Sequence, residues 1–383
     1  MKKLNFIIKY GLALLLLSFY SCESWLNVTP SDRLSEEMLF NDREGFVKAL
    51  NGVYIELNTN ELYGRNLTAG ALDVMGQYYS VASSSHAFYN YGGLVYTGND
   101  EKALFDNMWQ KCYAVIACCN TIIEKCDENK AGLSPVWKGS IKGEALALRA
   151  MLHFDMLRLF GPLTSELDKE SIPYQTNSDQ TVTPLLSGSE VVGLILDDLK
   201  NAVGLLKDTD PYFVEEEFSD TDLNYRRFRM NYFAAKGLMA RVQLWGGDKE
   251  KAAITAKEVI AEGQAEGAEF FPFVTNSEAT SSNPDRVFYS EVLFGTYHSS
   301  REKLHEDLFA PTLESTSILT LAGTARRDDL YDNENDYRYS VWSTYNKNGT
   351  SVLYHRKFEK QDNVTASRQY MIPLIRMSEM YLI

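Results

Sequence analysis

From Ser35 to Glu262 apolar side chains recur at three- and four-residue steps, and that spacing limits what this chain can fold into more than any other property. A stripe of that period buries one face of a helix and leaves the other wet, so the chain must stack helices on one another. The clearest unit is Asn231 to Glu262. Phe233, Leu238 and Ala240 lead to Trp245, Gly246-Gly247 breaks the helix, and Asp248 is placed to cap a second one from Lys249 to Ile260. Small residues gather on both segments: Ala234, Ala235, Gly237 and Ala240, then Ala252, Ala253 and Ala256. They predict two antiparallel helices in close approach, the habit of tetratricopeptide-type hairpins, although no strict repeat is visible.

The same period predicts helices from Ser35 to Leu57, broken near Asp42, from Glu101 to Cys126, from Trp137 to Phe160, and from Ser189 to Leu206. Gly161-Pro162 stops the third of these. Two stretches lack a sustained period. Gly70 to Gly98 is rich in Gly, Ser and Tyr, and Phe270 to Ile372 alternates short apolar runs with Asn, Asp, Gly and Ser, which predicts loops with a few short strands. Pro373 is expected to open a last amphipathic helix over Leu374 to Ile383, where the sequence stops in mid-pattern. We read that stop as a chain lacking further C-terminal helices.

The N-terminus reads as an export signal over residues 1–21: Lys2, Lys3 and Lys9, then an apolar run from Gly11 to Tyr20 too short to span a bilayer. Ser21-Cys22 is where a bacterial lipoprotein signal is cut and the thiol acylated, so Cys22 is the expected lipidation site. Charge would not hold this chain to an anionic leaflet. It carries 38 basic and 52 acidic side chains, a net −14, so acyl chains must anchor it, and nothing supports a nucleic-acid partner. Cys112, Cys119 and Cys126 recur every seven residues on one helical face, roughly 10 Å apart along the axis and beyond disulfide reach. With Cys118 they are read as buried free thiols.

Taken in order, the segments resemble the SusD/RagB family, surface lipoproteins that partner TonB-dependent transporters in glycan uptake by some Gram-negative bacteria. The similarity begins with WLNVTPSDRLSEEMLFNDREGFVKALNGVYIEL, whose polar, Pro-containing opening leads to a first helix ending in G-x-Y. It continues through MWQKCYAVIACCNTIIE, where Trp109, Tyr113, Ile116 and Asn120 occupy the family's positions, and through KGEALALRAMLHFDMLRLFGPL. GSEVVGLILDDLKNAVGLL, NYFAAKGLMARVQLWGGDKEKAAITAKEVI and IPLIRMSEMYLI complete it. The resemblance implies a mainly α fold over residues 22–383: a tetratricopeptide-like scaffold of helical hairpins with long irregular insertions and a few short strands. It implies a lipid anchor in the outer membrane with the protein exposed at the cell surface, and capture of an oligosaccharide for a SusC-like transporter. Trp109, Arg149 and Glu379 are then structural. Glu144 and Arg149, five residues apart, are expected to find other partners than each other.

Sugar capture needs flat aromatic faces for the C–H surface of a pyranose and planar polar groups for its hydroxyls. The 23 tyrosines of this chain suit that task, with an apolar ring and a polar tip. The irregular stretches concentrate both kinds of group, at Asp73, Tyr78, Tyr79, Tyr89 and Tyr91 and again at Trp342 and Tyr345, which are the ligand-binding candidates. Tyr337, Arg338, Tyr339 and Asn346 belong to the second cluster. No phosphate-binding loop, zinc-protease helix, nucleophile elbow or C-x-x-C pair occurs, so no catalytic residue, metal ligand or cofactor is assigned. The competing readings are a helical glycoside hydrolase and a helical scaffold for a protein partner.

Overall fold

The computed structural model describes residues 36–383 apart from Gln180, Glu266, Gly267 and Asp332. The export signal and Cys22 lie outside the described residues. No helix among the described residues is long and apolar enough to cross a membrane.

Five of the six principal helices begin where a short polar side chain holds a free N–H group, and the exception starts at Asn99 after Gly98 with no side-chain cap. Asp42 breaks the first segment as expected: a short helix, Glu36–Leu39, ends before it, and its carboxylate accepts the Gly45 N–H at 2.9 Å to start α1, Arg43–Leu57. The longest helix, α2, runs Asn99–Glu128, and α3 follows at Pro135–Phe160 with Ser134 as cap and proline in its first turn. Ser187 and Glu190 form a reciprocal capping box for α4, Gly188–Thr209. Asn231 caps α5, Tyr232–Trp245, and Asp248 caps α6, Lys249–Gly263. From α2 to α6 each helix packs on the next, and α1 lies across α2 and α3. The row is close-packed where glycine permits it: a Cβ on Gly143 would stand 2.7 Å from Leu206 Cγ, and one on Gly139 2.6 Å from Thr209 Cγ2. The small residue Gly237 of α5 serves a different contact from the one its neighbours suggest, since its Cβ would meet Leu293 at 3.1 Å and Ile375 at 3.4 Å rather than α6.

Buried charge ties this row together. Glu144 and Arg149 indeed point to different partners. Arg149 forks onto Asp198 with two bonds of 2.7 Å and donates to Asn120 Oδ1 at 2.9 Å, joining α2, α3 and α4. Glu144 pairs with Arg226 and accepts the Tyr54 hydroxyl at 2.6 Å, while Arg226 also forks onto Asp210 at 2.9 and 2.7 Å. His153, wholly buried, donates from Nδ1 to the Arg149 carbonyl at 2.9 Å because its Nε2 accepts the Gln175 N–H at 3.0 Å. Burial lowers its pKa to about 3. Cys112, Cys119 and Cys126 are buried free thiols, whereas Cys118 is exposed, because one step along a helix turns it about 100° away from that face. Trp109 is half-buried, its ring edge-on to Phe160 at 5.1 Å.

The strands are short and pair antiparallel in twos. β1 (Glu170–Pro173) joins β2 (Leu185–Ser187), β3 (Val292–Tyr297) joins β6 (Met371–Arg376), and β4 (Trp342–Lys347) joins β5 (Thr350–His355). The β4–β5 hairpin turns on Asn348-Gly349, with φ of 52° and 85°, the left-handed pair a tight hairpin needs. The helix expected to open at Pro373 does not form there. Pro373 lies inside β6 opposite Gly295, and a helix starts only at Met377, running to Leu382. A two-stranded ribbon has only edges, so a proline that lacks an N–H is tolerated, and pairing with the buried β3 outweighs the helical spacing. The two irregular stretches pack on each other around a second core of Tyr79, Phe88, Tyr91, Phe309, Trp342 and Phe358, joined by the Ser80–Thr320 bridge.

Candidate functional site

Between those irregular stretches and the end of β6 lies a cleft of about 820 Å³, within the size usual for small-ligand sites, on the order of 300–1,000 Å³. Asp73, from the short helix Ala71–Met75, and Tyr78 just beyond it form one wall. Asp336, Tyr337 and Arg338 precede β4 and form another, while Arg376, Ser378 and Leu382 close the end. The floor includes His355 at the end of β5 and Lys357 beyond it.

Local hydrogen bonds set most of these groups. Lys357 Nζ meets Asp73 Oδ2 at 3.0 Å and the Thr68 carbonyl at 3.0 Å. The Tyr78 and Tyr331 hydroxyls are 2.5 Å apart, and the Arg338 guanidinium covers the Tyr331 ring at 5.4 Å while holding Asp336. Phe288 is the conformational outlier. It sits at φ 50° and ψ 56°, a left-handed conformation costly for a bulky side chain. Asp285 enforces it by accepting the N–H groups of Val287, Phe288 and Tyr289 at 3.0, 3.1 and 2.8 Å. Phe288 thereby lines the cleft beside Tyr337, with ring centroids 6.4 Å apart, and beneath Arg376.

The residues singled out by sequence separate into three groups. Asp73 and Tyr78 line the cleft, half-buried. Tyr79, Tyr91 and Trp342 are buried, at 3, 3 and 5 % exposure. The Trp342 ring stacks on His355 at 4.3 Å and 9°, and the Tyr79 hydroxyl lies 2.8 Å from His355 Nδ1. Burial keeps that imidazole neutral, its pKa well below the ordinary value. Tyr89 and Tyr345 are exposed, at 44 and 43 %, and line no part of the cleft. Sequence reasoning missed Arg286, Phe288, Tyr331, Lys357 and Arg376. They are scattered over a segment without a period, and Arg376 falls where a helix was expected. Among the described residues no three His, Cys, Asp or Glu side chains converge as metal ligands.

Several proteins similar to this chain agree with one another. A SusD-like protein, P2, of Formosa agariphila is 25 % identical over 265 residues, 67 % of this chain and 46 % of its own length. A SusD-like protein of Bacteroides ovatus is 30 % identical over 146 residues, 37 % of this chain and 23 % of that protein. The chain thus spans less than half the length of these curated relatives. Among solved structures, a SusD superfamily protein from Bacteroides thetaiotaomicron matches with a TM-score of 0.69 at 21 % identity, covering 89 % of this chain and 74 % of that one. A SusD-like carbohydrate binding protein from Bacteroides vulgatus matches with a TM-score of 0.66 at 20 % identity, over 89 % and 70 % of the two chains. These two establish the fold. Residues 24–244, which take in α1 to α4, nearly all of α5 and the buried ion pairs of Glu144, Arg149 and Arg226, match a family described as starch-binding and associating with the outer membrane. That match covers more than half of the sequence, and the chain belongs to the SusD-like family.

Proposed function

We propose that this protein captures an oligosaccharide in the cleft between its two irregular segments and delivers it to a SusC-like TonB-dependent transporter. Acyl chains on Cys22 would hold it in the outer membrane, facing outward. The observation that carries the reading is the cleft's lining. It combines rings able to lie against a pyranose, Tyr78, Phe288 and Tyr337, with planar polar groups for its hydroxyls, and a strained Phe288 held in place by Asp285. The way the carboxylates are used supports binding without turnover. Asp73 and Asp336 are ion-paired, and Glu291 accepts the Val274 N–H at 3.0 Å. Glycoside hydrolysis needs one carboxyl held protonated opposite a second, and two ion-paired groups do not supply it.

Calorimetry against a panel of plant, algal and microbial oligosaccharides tests the reading. One class should bind, and Tyr337→Ala should weaken it about tenfold, the equivalent of roughly 1.4 kcal/mol of ring contact. Failure of every saccharide to bind would sink it, and so would release of reducing ends by the purified protein. Labelling of the cellular protein by an alkyne fatty acid, abolished in Cys22→Ser, tests the anchor. Co-purification of a large outer-membrane barrel from solubilised membranes tests the partner.

A further inference from the structure

The charges of the cleft do not balance. In a chain of net charge −14, its walls carry Arg286, Arg338, Lys357 and Arg376 against Asp73, Glu291 and Asp336. Two of those carboxylates are already engaged, Asp73 with Lys357 at 3.0 Å and Asp336 with Arg338 at 2.6 Å. Arg286 and Arg376 remain. The Arg286 side chain, 7 % exposed, reaches Glu359 at 3.2 Å, but that carboxylate also takes Arg356 at 2.8 Å, and the Arg286 Nη1 is buried without an acceptor. Among the described residues no carboxylate comes within ion-pairing distance of the half-buried Arg376.

The nearby acids keep their charge but turn their oxygens to other donors, chiefly main-chain N–H groups, and none forms an ion pair with Arg376. Glu291 bonds the Val274 N–H, and Asp285 spends its oxygens on three successive N–H groups and lies 3.5 Å from Arg368. Behind them Arg301, 1 % exposed, donates to the carbonyls of Arg368 and Met371 instead of to an acid. Burial lowers the pKa of Arg286 and Arg376; the Arg356 and Arg368 charges push Arg286 down further against the opposing pull of Glu359, and Glu291 and Asp285 pull Arg376 the other way from beyond ion-pairing distance. A desolvated guanidinium with spare donors is a fork for a planar carboxylate or for a sulfate, and an anion beside it relieves the repulsion among its neighbours.

We propose that the saccharide taken by this cleft carries an anionic substituent, a carboxylate or a sulfate, held by Arg376 and Arg286 while Phe288 and Tyr337 face the sugar ring. This rests on the glycan-capture reading and narrows its substrate class. A neutral oligosaccharide would leave the excess cationic charge as it stands.

The test is calorimetry on the full mature chain at 50 and 300 mM NaCl. The probes are oligosaccharides cut from polygalacturonate and alginate, from a sulfated galactan, and from neutral galactan, xylan and starch. An acidic probe is expected to bind at least tenfold tighter than any neutral one and to lose most of that margin at the higher salt. The uronate and sulfate arms tell the two substituents apart. Arg376→Gln should abolish the margin while leaving the melting temperature within a few degrees. Because Arg286 is buried and its replacement can disturb the fold, Arg376→Gln and the salt dependence of the unaltered protein carry the decision. Equal affinity for neutral and acidic probes, or acidic binding indifferent to both salt and Arg376→Gln, overturns the inference and leaves glycan capture standing. Failure of every probe in every arm overturns both.

Discussion

Replacing Asp210 with alanine tests whether buried charge holds the helical row together. Asp210 is fully buried at the end of α4, and its carboxylate accepts Arg226 Nε and Nη2 at 2.9 and 2.7 Å. It also accepts the N–H groups of Tyr212 at 3.0 Å and Tyr232 at 2.8 Å, the second being the first residue of α5. Truncation therefore strands two guanidinium donors and two main-chain donors where water does not reach. Removing one partner of a buried pair costs about 3–5 kcal/mol, and the lower end applies because Glu144 still faces Arg226. Each orphaned amide adds about 1 kcal/mol at the low end of its range, for a loss of about 5 kcal/mol. At roughly 2 cal/mol/K per residue the unfolding entropy of this chain is about 0.8 kcal/mol/K, so the melting temperature should fall by about 6 °C. Urea titration and calorimetry would read both quantities. Arg226→Met should cost more than Asp210→Ala, since it leaves Asp210 and Glu144 facing each other with no cation between them. A loss under about 1 kcal/mol, or the reverse order, would refute the reasoning.

Acid should destabilise the fold through His153. Its folded pKa of about 3 lies below the unfolded value near 6.5, so the unfolded chain binds the extra proton. Stability should fall from about pH 6.5 toward 3 by up to about 1.4 kcal/mol per unit, and His153→Gln should flatten the slope of urea midpoints between pH 7 and 4.5. Parallel slopes for the two proteins would count against it. Gly143→Ala should cost about 1–3 kcal/mol, because the new methyl stands 2.7 Å from Leu206 Cγ, and a melting curve that does not move would mean that α4 shifts freely. Trp342→Ala should cost about 3–5 kcal/mol through its stacked, buried ring, and Tyr345→Ala less than about 0.5 kcal/mol. A Trp342→Ala protein that melts normally yet loses saccharide would place that ring at the ligand instead of in the core.

The helical framework was legible because its signals are local. Asp42, Ser187, Asn231 and Asp248 each hold the N–H group of the residue three positions on, and Gly161 and Gly246 end helices in the same local way. The site was legible only in outline. Gly70 to Gly98 and Asp336 to Tyr354 do contribute Asp73, Tyr78, Tyr337 and Arg338 to one cleft. Which tyrosine of a cluster turns inward was not. Tyr78 and Tyr79 are neighbours in sequence, yet one lines the cleft while the other is sealed against His355. In an irregular segment no period tells the two faces apart.

By itself the sequence determined the number and order of the main helices, the Asp248 cap, the thiol-bearing face of α2, and the family resemblance that the matched relatives bear out. Those properties follow from interactions within a few residues. Tertiary structure alone decided that Pro373 lies in a strand, since the pairing partner is Gly295, far away in the chain. It decided that Arg149 reaches Asp198 and that Glu144 reaches Arg226, pairs that no helical spacing encodes. It also decided that Arg286 and Arg376, ninety positions apart, share one cleft whose nearby acids are bound to the main chain. A charge imbalance belongs to a place in space. It cannot be read from a composition whose sum has the opposite sign.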